Sequence, residues 1–227
     1  MISVLLEHGA KIEEHTDILY PRYPPLLIQT STSGQLGLVY RLLQYGATTK
    51  VQHSSHQTPL IHAACSGYTG IVDMLLKHNA NFQARDNNLR SVLFYAALCY
   101  HELVVNMFLE RGANIENTDV EGRTPLAGAA RNGHAEVVQR LLEQEACPEP
   151  EDRRGKTPLL LATMKGYSNK IAVLLPYGTN VNKIDSYHRT ALSLAAGRGS
   201  TAFIKLLLRQ PVIEVDHLDT TERTPLA

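Results

Sequence analysis

The chain has 227 residues, of which 44% are hydrophobic, and its 22 Lys and Arg are balanced by 22 Asp and Glu. A formal net charge of zero argues against the basic footprint of a protein that binds nucleic acid through its phosphates, and no run of 18 apolar residues exists to span a membrane. Met1–Glu7 lacks a basic leader and a small-residue cleavage site, and three cysteines, an odd number, suit a reducing compartment, so the expectation is a soluble intracellular protein, cytoplasmic or nuclear.

Two ladders in register set the frame for every element. Thr58-Pro59-Leu60 recurs as Ser91-Val92-Leu93, Thr124-Pro125-Leu126, Thr157-Pro158-Leu159, Thr190-Ala191-Leu192 and Thr224-Pro225-Leu226, in steps of 33, 33, 33, 33 and 34 residues. A bulky apolar pair follows in phase at Leu42-Leu43, Leu75-Leu76, Phe108-Leu109, Leu141-Leu142, Leu174-Leu175 and Leu207-Leu208, every step 33. A period of this length means a supersecondary unit that cannot bury its own apolar face, so the chain reads as an array of repeats.

In chain order, Met1–Glu7 matches the second helix of a repeat whose first helix is missing. Between Gly9 and Pro24 lie three more residues than between Gly46 and Thr58, and the added length includes Tyr20-Pro21-Arg22-Tyr23-Pro24-Pro25. This predicts a longer, stiffer projecting finger, read either as a tolerated insertion or as an interface anchored by Tyr20, Arg22 and Tyr23. Thr30-Ser31-Thr32-Ser33 replaces the usual Ala pair of the next helix and adds one residue.

From Thr58 onward each unit follows one plan. Thr caps a helix whose first residue is Pro, since the hydroxyl accepts from a first-turn amide and Pro forfeits only an unpaired one. Ala63-Ala64, Ala96-Ala97, Ala129-Ala130 and Ala195-Ala196 allow neighbouring first helices to approach, and Gly67, Gly133, Gly166 and Gly199 end them. Second helices carry apolar pairs four residues apart, such as Val137-Val138 with Leu141-Leu142, and should end at Gly46, Asn79, Gly112 and Gly178. Glu145 and Pro211 occupy that cap position in the other two units, which predicts irregular ends there. Turn-rich connectors such as Asp119-Val120-Glu121-Gly122 and Asp152-Arg153-Arg154-Gly155 then lead to the next Thr-Pro. The chain stops at Thr224-Pro225-Leu226-Ala227, the opening of a further repeat, so it reads as a section of a longer array or a truncated product.

These motifs resemble the ankyrin-repeat family, whose pattern of Asp-x-x-Gly-x-Thr-Pro-Leu, Ala-Ala, Gly-His, Val-Val and Leu-Leu is best matched from Asp119 to Ala146. The resemblance implies an all-α solenoid of helix-turn-helix units with projecting turns. It makes residues 1–227 one domain: a partial repeat 1–23, repeats 24–57, 58–90, 91–123, 124–156, 157–189 and 190–223, and the start of another at 224–227. The family's His after Pro-Leu is absent, with Leu27, Ile61, Phe94, Ala127, Leu160 and Ser193 in its place, so its hydrogen bonds must be missing or replaced.

Chemistry-bearing patterns are sparse. Gly197-Arg198-Gly199-Ser200-Thr201-Ala202 nominally fits a dinucleotide motif, but it follows a short helix and coincides with the inter-helix turn. His53, His56, His62 and Cys65 are close in sequence, yet a turn and a helix separate them, so no metal site is expected. Cys65 and Cys99 fall near the ends of first helices in adjacent repeats, where a helix spacing of about 8 to 10 Å predicts sulfurs too far apart to bridge easily. No catalytic constellation stands out, and neither enzyme activity, a small-molecule substrate nor a cofactor is expected.

One column does suggest a partner. Arg90, Arg123, Lys156, Arg189 and Arg223 precede the Thr-Pro-Leu positions, and Arg131, Lys165 and Arg198 end first helices. Family resemblance places both sets on or beside the concave groove used for recognition. Asp86, Asp119, Asp152, Asp185 and Asp219 stand four residues before the first set. Two readings stay open: Asp and the basic residue hold each turn together, or Arg123, Arg131, Lys156, Lys165, Arg189 and Arg198 form a positive stripe for an acidic protein segment. The resemblance implies a non-catalytic protein-binding scaffold, or alternatively a regulatory or targeting subunit, such as a transcription co-regulator, or part of a larger multidomain protein.

Overall fold

The computed structural model describes residues 24–168 and 170–225, apart from the Ile171 side chain. The partial repeat 1–23, including Tyr20, Arg22 and Tyr23 of the long finger, lies outside the described residues. The chain divides into two compact units, Met1–Asn114 and Ile115–Ala227. Among the described residues the regular structure is helical, with one isolated bridge between Arg85 and Ser91.

In the first unit three helical hairpins follow one another: α1 (Leu26–Thr32) with α2 (Leu36–Gln44), α3 (Pro59–Ser66) with α4 (Thr69–Lys77), and α5 (Val92–Leu98) with α6 (Glu102–Leu109). First helices pack on first helices, α1 on α3 and α3 on α5. Ala63, Ala64, Ala96 and Ala97 are fully buried in these contacts, beside Leu60, Ile61, Leu93 and Phe94. The second unit holds α7 (Pro125–Asn132) with α8 (Ala135–Glu143), α9 (Pro158–Lys165) with a 3₁₀ helix (Lys170–Tyr177), and α10 (Ala191–Gly197) with α11 (Thr201–Leu207). There α9 packs between α7 and α10, and Leu141, Leu174, Phe203 and Leu207 are fully buried.

Helix starts follow the capping chemistry. The side chains of Thr58, Ser91, Thr124, Thr157 and Thr190 accept from the amides of Ile61, Phe94, Ala127, Leu160 and Ser193. Each cap contributes about 1 kcal/mol. The hydrogen bonds expected of the absent His are replaced in two repeats. Ser193 Oγ accepts from the Thr190 amide and donates to its carbonyl, while the Tyr95 hydroxyl donates to Asp86 Oδ2 at 2.7 Å. In α1, where Ala gave way to hydroxyl residues, Thr30 and Thr32 donate back to carbonyls one turn earlier, which satisfies these two hydroxyls but not the buried Ser31 Oγ between them.

The helix ends separate two positions that looked alike in sequence. Glu145 takes the left-handed conformation at φ 63°, and its amide and that of Ala146 bond Leu142 and Leu141 just as Gly112 and Ala113 bond Leu109 and Phe108. The expected irregularity is therefore absent at Glu145, because the two closing bonds outweigh a strain of about 1 kcal/mol. Pro211 cannot take a positive φ or donate, and the chain closes there differently, through Gln210 to Leu207 and Ile213 to Gln210. The second helix of repeat 157–189 is 3₁₀ rather than α; Pro176 inside it lacks an amide and its ring crowds the preceding turn. Thr179 Oγ1 donates to the Leu174 carbonyl at 2.8 Å beside it.

Cys65 and Cys99 correct a second expectation, since their sulfurs lie 2.8 Å apart. Alanine pairs between α3 and α5 let the helices approach, and side chains at the helix ends bridge what the axes leave.

First-helix ends explain why glycine stands there. Gly133 has φ 75°, and a Cβ would come within 2.6 Å of the Tyr167 ring from the next repeat; Gly199 has φ 65° with nothing within 4 Å. Gly133→Ala should therefore lower stability by about 2–4 kcal/mol, combining left-handed strain with a steric clash, and Gly199→Ala by only about 1 kcal/mol. Urea midpoints of the two variants check the difference.

Candidate functional site

The projecting turns share one hydrogen-bonded design. In each, an Asp Oδ1 accepts two backbone amides, two and four residues on: Asn88 and Arg90 for Asp86, Glu121 and Arg123 for Asp119, Arg154 and Lys156 for Asp152, Tyr187 and Arg189 for Asp185, Thr221 and Arg223 for Asp219. The Asp amide bonds back to the carbonyl of the basic residue, closing the loop. Within the second unit successive turns are also joined edge to edge, Arg153 to Glu121, Ser186 to Arg154 and Thr220 to Tyr187. The fingers are thus fixed as a row by backbone bonds.

The basic column divides according to what remains of each Asp. Arg123 donates from Nε at 3.0 Å and Nη2 at 2.6 Å to Asp119 Oδ2, and Arg189 pairs with Asp185 in the same way at 3.1 and 2.6 Å. Burial by itself would raise the pKa of Asp119, but the Arg123 side chain and amide and the Glu121 amide outweigh it and hold the carboxyl below the usual value. Asp185 is depressed against its burial by Arg189 and the Tyr187 amide. In the first unit the Tyr95 hydroxyl donates to Asp86 Oδ2, and the Arg90 guanidinium lies over the Phe94 and Tyr95 rings at 5.7 and 6.0 Å.

A cavity of about 330 Å³ in the second unit gathers four of the six basic residues singled out in sequence. Glu121, Arg123, Asp152, Arg154 and Lys156 line it from two fingers, and Arg131, Leu161, Met164 and Lys165 from α7 and α9. Five basic side chains face two carboxylates. Arg123 is bound to Asp119, with Glu121 at 3.8 Å, but among the described residues no carboxylate lies within 4 Å of Arg131, Arg154, Lys156 or Lys165. Lys156 is itself buried, so its charge is directed into the cavity rather than into bulk water. Arg131 and Lys165 also sit in the last turns of their helices, where the macrodipole favours cations.

Arg189 and Arg198 line a second cavity of about 400 Å³ with Arg223 and Asp219. Arg198 has a structural engagement as well, with Nη1 donating to the Met164 carbonyl at 2.9 Å and the guanidinium against Gly166. Arg154 lines the cavity but stands outside the basic columns. Its counterparts in the other fingers, Asn88, Glu121, Tyr187 and Thr221, are not basic, so no periodic signal marks it; its local Arg153-Arg154 pair was the available cue. The dinucleotide-like segment 197–202 runs from the end of α10 through the turn 198–200 into the start of α11.

The family model described as ankyrin repeats (3 copies) matches residues 27–119 and again 113–185, and the chain belongs to the ankyrin-repeat family. No curated protein matches the sequence. No helix among the described residues is long and apolar enough to cross a membrane.

The pH response of the finger clamp follows from the depressed carboxyls. Their stabilisation is complete above the unfolded carboxyl's pKa, about 3.9, and is lost as pH falls through the lower native value. Asp119→Asn should cost about 1–3 kcal/mol at pH 7, because an amide Nδ2 then faces the Arg123 donors. The gap between wild type and variant in urea midpoint should narrow as pH drops below about 4.

Proposed function

We propose that the chain is a non-catalytic binding scaffold whose second unit captures an acidic segment of a partner protein. Ankyrin repeats are as a class protein-interaction modules, which supports the general role. The observation that carries the particular reading is the cavity where Arg131, Arg154, Lys156 and Lys165 converge without carboxylate partners. Four cations held close together repel one another, and an incoming carboxylate relieves that repulsion while gaining charge-assisted hydrogen bonds. A volume of about 330 Å³ suits one or two acidic side chains of an extended segment, with Leu161 and Met164 as apolar floor for their stems.

The two readings of the basic column then apply to different residues. Arg123 and Arg189 serve the fingers, through Asp119 and Asp185, and position the groove rather than meet the partner. Arg131, Arg154, Lys156 and Lys165 meet the partner.

Affinity capture from native extract followed by titration of the captured acidic segment tests this. The double variant Arg131→Glu, Lys165→Glu should bind at least roughly tenfold more weakly, and wild-type affinity should fall as salt rises. Its melting temperature should fall by only about a few degrees, since both side chains lie outside the finger clamps and lose chiefly a favourable helix C-terminus. Undiminished capture by the double variant would remove the acidic-segment reading. Arg198 is left unchanged because reversing it would also break the bond to Met164.

A further inference from the structure

Cys65 lies in the last turn of α3, and Cys99 ends α5, its amide donating to the Tyr95 carbonyl. Both thiols are free and half-buried. Their sulfurs are 2.8 Å apart, closer than unbonded sulfur atoms ordinarily pack, and one S–H points at the other sulfur. A second link holds the same two repeats together beside them, from His101 Nε2 to the Cys65 carbonyl at 2.8 Å. The fully buried Ala63, Ala64, Ala96 and Ala97 keep the two helices pressed together. Reaching the bonded distance of about 2.05 Å thus asks the sulfurs to close by only about 0.8 Å.

We propose that Cys65 and Cys99 are a redox-sensitive pair that hydrogen peroxide converts into a disulfide stapling two adjacent repeats of the first unit. The Cys65 thiolate attacks one peroxide oxygen and the O–O bond breaks. The departing hydroxide takes up the thiol proton as water, which leaves Cys65 as a sulfenic acid. Cys99 sulfur then attacks Cys65 sulfur, the S–O bond breaks, and the oxygen leaves as a second water with the Cys99 proton. One peroxide is reduced to two waters and two thiols are oxidised to one disulfide.

The pair is chemically prepared for the first step. The hydrogen bond between the two sulfurs lets one thiol stabilise the other's thiolate, and it brings the Cys65 pKa down to about 7 while Cys99 is pushed up. Cys147, the remaining cysteine, is exposed and serves as an internal control. The cross-link would close a loop containing the finger at Asp86 and the whole of α4, and would restrict the unfolded chain accordingly.

The experiment treats the reduced full chain with low concentrations of hydrogen peroxide, blocks remaining thiols and maps peptides without reduction. The expected result is a Cys65–Cys99 linked peptide, a free-thiol titre falling from three to one, and a melting temperature higher by several degrees that dithiothreitol reverses. In Cys99→Ser, where the resolving thiol is gone, Cys65 should instead be trapped by dimedone as the sulfenic acid. Separate alkylation of Cys65 and Cys99 after peroxide treatment, or linkage only through Cys147, would overturn the pair. A linked peptide with no change in melting would overturn the staple.

Discussion

A hairpin of two short helices has one apolar face too many, and every other feature follows from how neighbouring repeats cover it. The first helices are only two turns long, far below the length at which an isolated helix holds in water. They exist because α3 is pressed between α1 and α5, and α9 between α7 and α10, through faces built from alanine and leucine. Close approach is the condition for this burial. The small residues, the glycine under Tyr167, and the ring of His101 reaching back to the Cys65 carbonyl are all expressions of it.

The fingers solve a separate problem, that of a polar loop projecting from a packed core. A single carboxylate accepts two amides and, where a partner arginine is present, two further donors. The resulting charge-assisted clamp makes the turn rigid enough to place Lys156 and Arg154 beside Arg131 and Lys165. In the proposed reading that rigidity keeps the cations together, so a carboxylate arriving among them would relieve their mutual repulsion. Function in the proposed reading is a by-product of stabilising the loop, because the fingers held by Asp119 and Asp152 also line the cavity with Arg123, Arg154 and Lys156.

Much of this was legible from periodicity, and the places where it was not share a cause. Caps, helix ends and the Asp column are local, with partners within a few residues, so Thr58, Gly133 and Asp119 could be assigned roles from spacing. Glu145 and Pro211 occupy equivalent positions, but only the structure shows that the glutamate accepts a left-handed backbone and the proline forces another closure. Cys65 and Cys99 stand at positions one apart within their repeats, and an estimate from helix axes placed them too far apart. Axis spacing ignores where side chains at the helix ends lean. Arg154 stands outside the basic columns because its counterparts in the other fingers are not basic, so only the fold shows that it lines the same cavity as Arg131, Lys156 and Lys165.

By itself the sequence determined the repeat unit, the capped helix starts and most of the helix ends, because these depend on interactions within about four residues. Tertiary structure decided which charges are committed and which remain available. Asp119 and Asp185 take up Arg123 and Arg189, Met164 takes up Arg198, and Arg131, Lys156 and Lys165 are left around a cavity with Arg154. Charges act through space over distances that sequence spacing does not encode, so identical-looking basic residues acquire different roles only when neighbouring repeats are brought side by side.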